Sequence, residues 1–135
     1  LATADVDLNG LELGAPAGDA DVTLAGGGDC LSVQAGDRVV FARNADAGLN
    51  GGLPALLATF SFGLTNGGAS LSVGLGGAVL DAVTWPGASA GTAFNLDPGA
   101  EDPVANDDET NFCDATMIYG DGDRGTPAEA NEACQ

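Results

Sequence analysis

The chain has 135 residues, with 20 acidic side chains against three arginines, no lysine and no histidine, for a formal charge of -17. That charge repels phosphate backbones and anionic membranes, so nucleic-acid binding is disfavoured unless cations bridge. One domain fits this length, and no apolar run approaches the roughly 18 residues a membrane span needs.

The 22 glycines and six prolines separate short apolar runs, a pattern of many short strands rather than long helices. In chain order, VDLNGLEL (Val6 to Leu13) places Val6, Leu8, Leu11 and Leu13 around Asn9-Gly10, which predicts two strand pieces joined by a tight turn or bulge. Short strands follow at Val22 to Leu24 and Cys30 to Val33. The run from Asp37 to Arg43 is apolar on both faces, with Val39 and Phe41 on one and Val40 and Ala42 on the other. A strand of that kind is normally covered on both sides, which predicts a central position in a sheet. Arg38 and Arg43 flank it, and as two of only three cations each is expected to hold a specific carboxylate or carbonyl.

After the polar loop from Asn44 to Pro54, Ala55 to Leu64 reads as extended, with a short helix as the rival. SLSVGL, Gly76-Gly77 and AVLDAVTW (Ala78 to Trp85) form the strongest local signal, a hairpin with one half-buried face. Trp85-Pro86 ends it, because proline cannot donate to a ladder. Phe94 and Leu96 give one more strand. From residue 96 to 135 the sequence is acidic and loop-rich, with Phe112, Met117, Ile118 and Tyr119 as its few apolar anchors. So polar a tail needs a covalent or ionic tie to stay ordered.

Three cysteines, Cys30, Cys113 and Cys134, read as one disulfide and one remaining thiol in an extracellular compartment, or else as three small buried apolar residues. Gly87-Ala88-Ser89-Ala90-Gly91 matches the nucleophile-elbow pattern in letters, but without a histidine to act as base it reads as a small-residue loop. One tryptophan and one tyrosine are poor material for a sugar cleft between paired carboxylates. The expectation is therefore a protein that is not an enzyme. With no histidine, zinc, copper and haem lack ligands. Asp107, Asp108, Glu109, Asp121 and Asp123 offer oxygen ligands of the kind calcium takes, within an acidic run that also contains Asp97, Glu101, Asp102, Asn106 and Asp114. The run does not match an EF-hand loop, and the alternatives are calcium or a solvated acidic loop with no cofactor.

The order of VDLNGLEL, AGDRVVFARNAD with NGGLP, FGLTNGGASLSV, VLDAVTWP, GTAFNLDP, FCDAT and YGDGDRGTPAEAN resembles a bacterial lamin-tail domain of the secreted kind, over nearly the whole chain. The resemblance implies an all-β, immunoglobulin-like β-sandwich spanning residues 1–135, and a non-catalytic module at the cell surface. It also implies a Cys113–Cys134 bridge, leaving Cys30 unpaired or paired outside this chain. Family members carry strands ahead of the piece matching VDLNGLEL, and Leu1 to Thr3 falls at the end of the second. The expectation is then open sheet edges and core, in a fragment of a longer protein, beside a neighbouring copy that supplies strands, or in a variant. The function expected is structural or adhesive, through contact with copies of itself or other surface proteins; the alternative is an accessory or targeting domain cleaved from a larger secreted hydrolase such as a nuclease or phosphatase. Because like-charged copies repel, self-assembly would strengthen as salt is raised.

Overall fold

A computed structural model describes residues 1–135 and is all-β, with helical structure confined to three 3-10 turns at Pro98–Ala100, Ala105–Asp107 and Glu109–Asn111. Its centre is a four-stranded antiparallel sheet. β1 (Val6–Asp7), β2 (Leu11–Gly14) and β3 (Val22–Thr23) come first, then β4 (Ser32–Val33), β5 (Phe41–Ala42) and β6 (Ala58–Thr59). The long hairpin is β7 (Ala69–Leu75) and β8 (Ala78–Trp85), and the central sheet has the order β3-β2-β7-β8.

The hairpin forms where alternation and Gly76-Gly77 predict it: both glycines have positive φ, at 59° and 81°, which the reversal requires. A bulge sits between Val73 and Gly74, where a Cβ on Gly74 would approach Ala78 O to 2.9 Å. Glu12 on β2 clasps the turn, its carboxylate accepting from Gly77 N–H at 3.0 Å. The Asn9-Gly10 turn is also present between β1 and β2. Asn9 donates to Asp7 and to Asp29 O at 2.9 Å, and accepts from Gly26 N–H at 2.6 Å, so one amide ties three segments.

Around this sheet lie two-stranded ladders: β1 with β4, β9 (Phe94–Leu96) with β10 (Phe112–Asp114), and β11 (Ile118–Tyr119) with β12 (Asp123–Arg124), all antiparallel. β5 and β6 pair in parallel, Phe41 with Ala58 and Ala42 with Thr59. Here the sequence reading needs correction. Asp37 to Arg43 is no central strand: only Phe41 and Ala42 enter a ladder, and Arg38 to Val40 are half-buried without strand partners. Apolar residues on both faces signal coverage of the side chains, and carry no information about which backbone lies alongside.

The core is thin. Only 12 of 135 residues are buried, the apolar ones being Leu13, Leu24, Val33, Ala42, Ala100 and Ala115. The accessible surface is 7695 Å², against about 6,400 Å² for a compact protein of this mass.

A candidate interaction groove

A groove of about 580 Å³ opens between Leu1 with the Arg38–Phe41 segment on one side and Asp81 of β8 with the Glu101–Asn106 turns on the other. Three observations give it chemical character.

The first is an unpaired backbone. The amides of Arg38, Val39 and Val40 and the carbonyls of Arg38 and Val39 make no hydrogen bond; Val40 O alone is used, accepting from Leu57 N–H at 2.9 Å. The opposing chain accompanies this segment only as far as its start, where Ala2 N–H donates to Asp37 O and Gly36 N–H donates to Ala2 O, each at 2.9 Å. Half-buried backbone groups without partners are uncommon, because desolvation is then uncompensated.

The second is charge. Arg38 donates through Nη2 to both carboxylate oxygens of Glu101 at 2.9 Å, so the groove's cation is already neutralised. The expected clamp is therefore present at Arg38. Arg43 is exposed and makes no such bond, so the expectation of a specific partner there is overturned: it sits past the last paired residue of β5, with no carboxylate oxygen within 4.0 Å.

The third is Asn106, which is 8 % exposed and donates through Nδ2 to Asp81 Oδ2 at 2.8 Å, while its Oδ1 has no hydrogen-bond partner. The turn that carries Asn106 is shaped by Asp102, whose Oδ1 accepts from Val104 and Ala105 N–H at 3.0 Å. Those bonds, Ala105 foremost, hold the Asp102 carboxyl below its usual pKa. Asp81 was the residue that the sequence pattern passed over. Its signal was a lone carboxylate inside the apolar β8 run.

A second, apolar pocket of about 360 Å³ lies between Leu71, Val83 and Trp85 of the hairpin and Phe94 with Phe112. Phe94 and Phe112 stack with ring centres 5.1 Å apart, and Trp85 Nε1–H donates to Thr65 O at 3.1 Å.

The acidic residues singled out for calcium are dispersed over separate turns, and no group of three or more acidic or thiol side chains is placed to hold a metal ion. Asp108 accepts from Thr110 N–H at 2.9 Å and Thr110 Oγ1–H at 2.7 Å, which lowers its pKa. Asp107 and Glu109 are exposed and form no side-chain hydrogen bond among the contacts of these turns, Asp121 is exposed beyond β11, and Asp123 packs against Gly51 and Gly91. Burial, with Asp123 nearby, raises the Tyr119 pKa.

The polar tail is tied down as its composition requires. Cys113 and Cys134 form a disulfide with Cα atoms 5.7 Å apart, and Cys30 is an exposed free thiol. Cys134 N–H donates to Asp97 Oδ2 and Asn131 Nδ2–H to Leu96 O, both at 2.8 Å. Glu132 accepts from Thr116 N–H, Thr116 Oγ1–H and Met117 N–H at 2.8, 2.6 and 2.9 Å. Gly87 to Gly91 is an irregular loop after β8, and no helix is long and apolar enough to cross a membrane. Comparisons with protein-family models, with curated proteins and with solved structures returned no match.

Proposed function

We propose that this chain is a non-catalytic extracellular module of structural or adhesive type, which works by docking other surface proteins or further copies of itself onto open strand edges. The observation that carries the reading is β8 (Ala78–Trp85): it is an outer strand of the central sheet, no further strand pairs with it, and Val79 and Leu80 on it are exposed. Exposed edges are normally blunted by charge, proline or a covering loop, and one left open is a template for another strand. The disulfide is compatible with an oxidising compartment. The motif order that resembles a secreted lamin-tail domain favours an immunoglobulin-like sandwich as the finer description of the all-β fold, and supports the same kind of role.

Peptide display tests the reading. Selection of random decapeptides on the immobilised chain, with a Leu80→Lys chain as counter-target, should enrich sequences of high strand propensity that fail to bind the variant. Enrichment that is identical on both chains, or none at all, would reject docking at this edge.

A further inference from the structure

We infer that Asn66 is a self-modification site: the Gly67 backbone nitrogen cyclises onto the Asn66 side-chain amide, and the isoaspartate that results unseats the end of β8 from the turn that starts β7. Neither strand docking nor a partner protein enters; water is the one co-reactant.

Three asparagines precede a glycine: Asn9, Asn50 and Asn66. Glycine carries no Cβ to crowd its nitrogen and leaves the backbone free to rotate, so these are the positions open to intramolecular attack. The fold separates them. Asn9 Nδ2 is held by Asp7 and by Asp29 O, its Oδ1 accepts from Gly26 N–H, and the attacking nitrogen itself, Gly10 N, donates to Leu24 O at 2.9 Å. Asn50 is half-buried, its Nδ2 donates to Asn44 O at 3.1 Å and its Oδ1 accepts from Leu53 N–H at 3.0 Å, while Gly51 packs against Gly120. Asn66 is exposed, and only its backbone carbonyl is hydrogen-bonded. The Gly67 N–H is free as well, and a Cβ on Gly67 would meet nothing within 4 Å. An unheld amide beside an unheld nitrogen occurs at this asparagine alone of the three.

Gly67 N bonds to Asn66 Cγ, the Cγ–Nδ2 bond breaks, and the side-chain NH2 leaves with the amide proton as ammonia, closing a succinimide. Water then opens the ring. Attack at Cγ gives an aspartate, whereas attack at the backbone carbonyl gives an isoaspartate whose chain runs through Cβ and Cγ. The second product lengthens the backbone by one methylene, at a place without slack. Asn66 O accepts from Ala88 N–H at 3.0 Å, and Thr65 O accepts from Trp85 Nε1–H at 3.1 Å. Gly68, at a φ of 92°, lies so close to the end of β8 that a Cβ on it would fall 2.9 Å from Trp85 O and 2.6 Å from Pro86 O. In the isoaspartate, the carbonyl that Ala88 uses becomes a free carboxylate outside the main chain. The turn must then shift and carry Thr65 O off the indole, which opens the apolar pocket that Thr65, Asn66 and Trp85 line together.

The test is incubation of the folded chain in mildly alkaline buffer, with conversion at each asparagine read by peptide mapping. Asn66 should convert at least about tenfold faster than Asn9 or Asn50, the factor expected when attack at those positions must first break two hydrogen bonds. In urea, where those bonds are gone and all three sites share a following glycine, the rates should converge. Gly67→Ala adds a methyl into open space, so it should slow conversion severalfold while leaving the melting temperature unchanged. The isoaspartate form, isolated by chromatography, should show red-shifted emission from Trp85, the single tryptophan. Asn66→Asp, which carries the charge without the extra methylene, should not. Equal rates at the three sites in the folded chain, a slower Asn66, or a ranking that survives in urea would overturn the assignment. An isoaspartate form with unshifted emission would overturn the link to β8.

Discussion

Arg38 and Glu101, 63 positions apart, meet through one guanidinium nitrogen that bridges both carboxylate oxygens at 2.9 Å, with side chains 25 % and 18 % exposed. Partial shielding puts this pair above a typical surface contact, and a double-mutant cycle with Arg38→Met and Glu101→Gln should give a coupling of about 1 kcal/mol. The coupling should persist at 0.5 M salt. A value indistinguishable from zero by urea denaturation would show that the pair is merely adjacent.

The disulfide spans a sequence separation of 21, and closing a loop of that size removes unfolded-state entropy worth about 3 kcal/mol. Replacing Cys113 and Cys134 with serine should lower the melting temperature by about 10 °C. Limited proteolysis should then cut first between Thr126 and Gln135, since only the hydrogen bonds of Asn131, Glu132 and the residue-134 amide would hold that segment. An unchanged cleavage pattern would mean that the polar clamps suffice.

Glu132 supplies a pH test. Its hydrogen bonds from the Thr116 hydroxyl, then from the Met117 and Thr116 amides, hold its pKa below the ordinary 4.5. A carboxylate depressed in the folded state contributes stability that is complete above the unfolded pKa and disappears as pH falls through the folded one. Glu132→Gln should therefore lower the melting temperature at pH 6, and the gap from the parent chain should close below about pH 4. A gap of constant size across that range would assign the loss to something other than ionisation.

Gly120 is the point where the β11–β12 hairpin touches the loop from Asn44 to Pro54. Its φ is 51°, and a Cβ there would collide with Gly51 O. Gly120→Ala should cost about 2–3 kcal/mol, from overpacking against backbone that cannot rotate away. Gly18→Ala, also at positive φ but with open space around it, should cost about 1 kcal/mol. Equal penalties in chemical denaturation would trace both to backbone strain alone.

Legibility in the sequence tracked locality. The hairpin from Ala69 to Trp85 was readable because alternation and a Gly-Gly reversal both lie within 17 consecutive residues. β10, β11 and β12 were missed because strands of two or three residues are too short to display a period. Arg38 announced its need for a partner by being one of three cations, yet nothing local could say that Glu101 would be chosen over 19 other carboxylates among the 20 acidic residues. The groove was illegible for the same reason. Asn106 and Asp81 are 25 positions apart, and Arg38 to Val40 look like a buried strand until one asks which backbone lies alongside.

The thin core also shapes the stability curve. The heat-capacity increment of unfolding follows the apolar area newly exposed to water, and a chain of 135 residues would ordinarily show about 1.6–2.0 kcal/mol/K. With 12 residues buried and 7695 Å² already in contact with solvent, the isolated chain should fall below that range in calorimetry. Its free-energy dome is then broad and shallow, held up more by its one disulfide and by polar clamps than by expelled water, so cooling weakens it little. A strand seated beside β8 would raise the increment and narrow the dome.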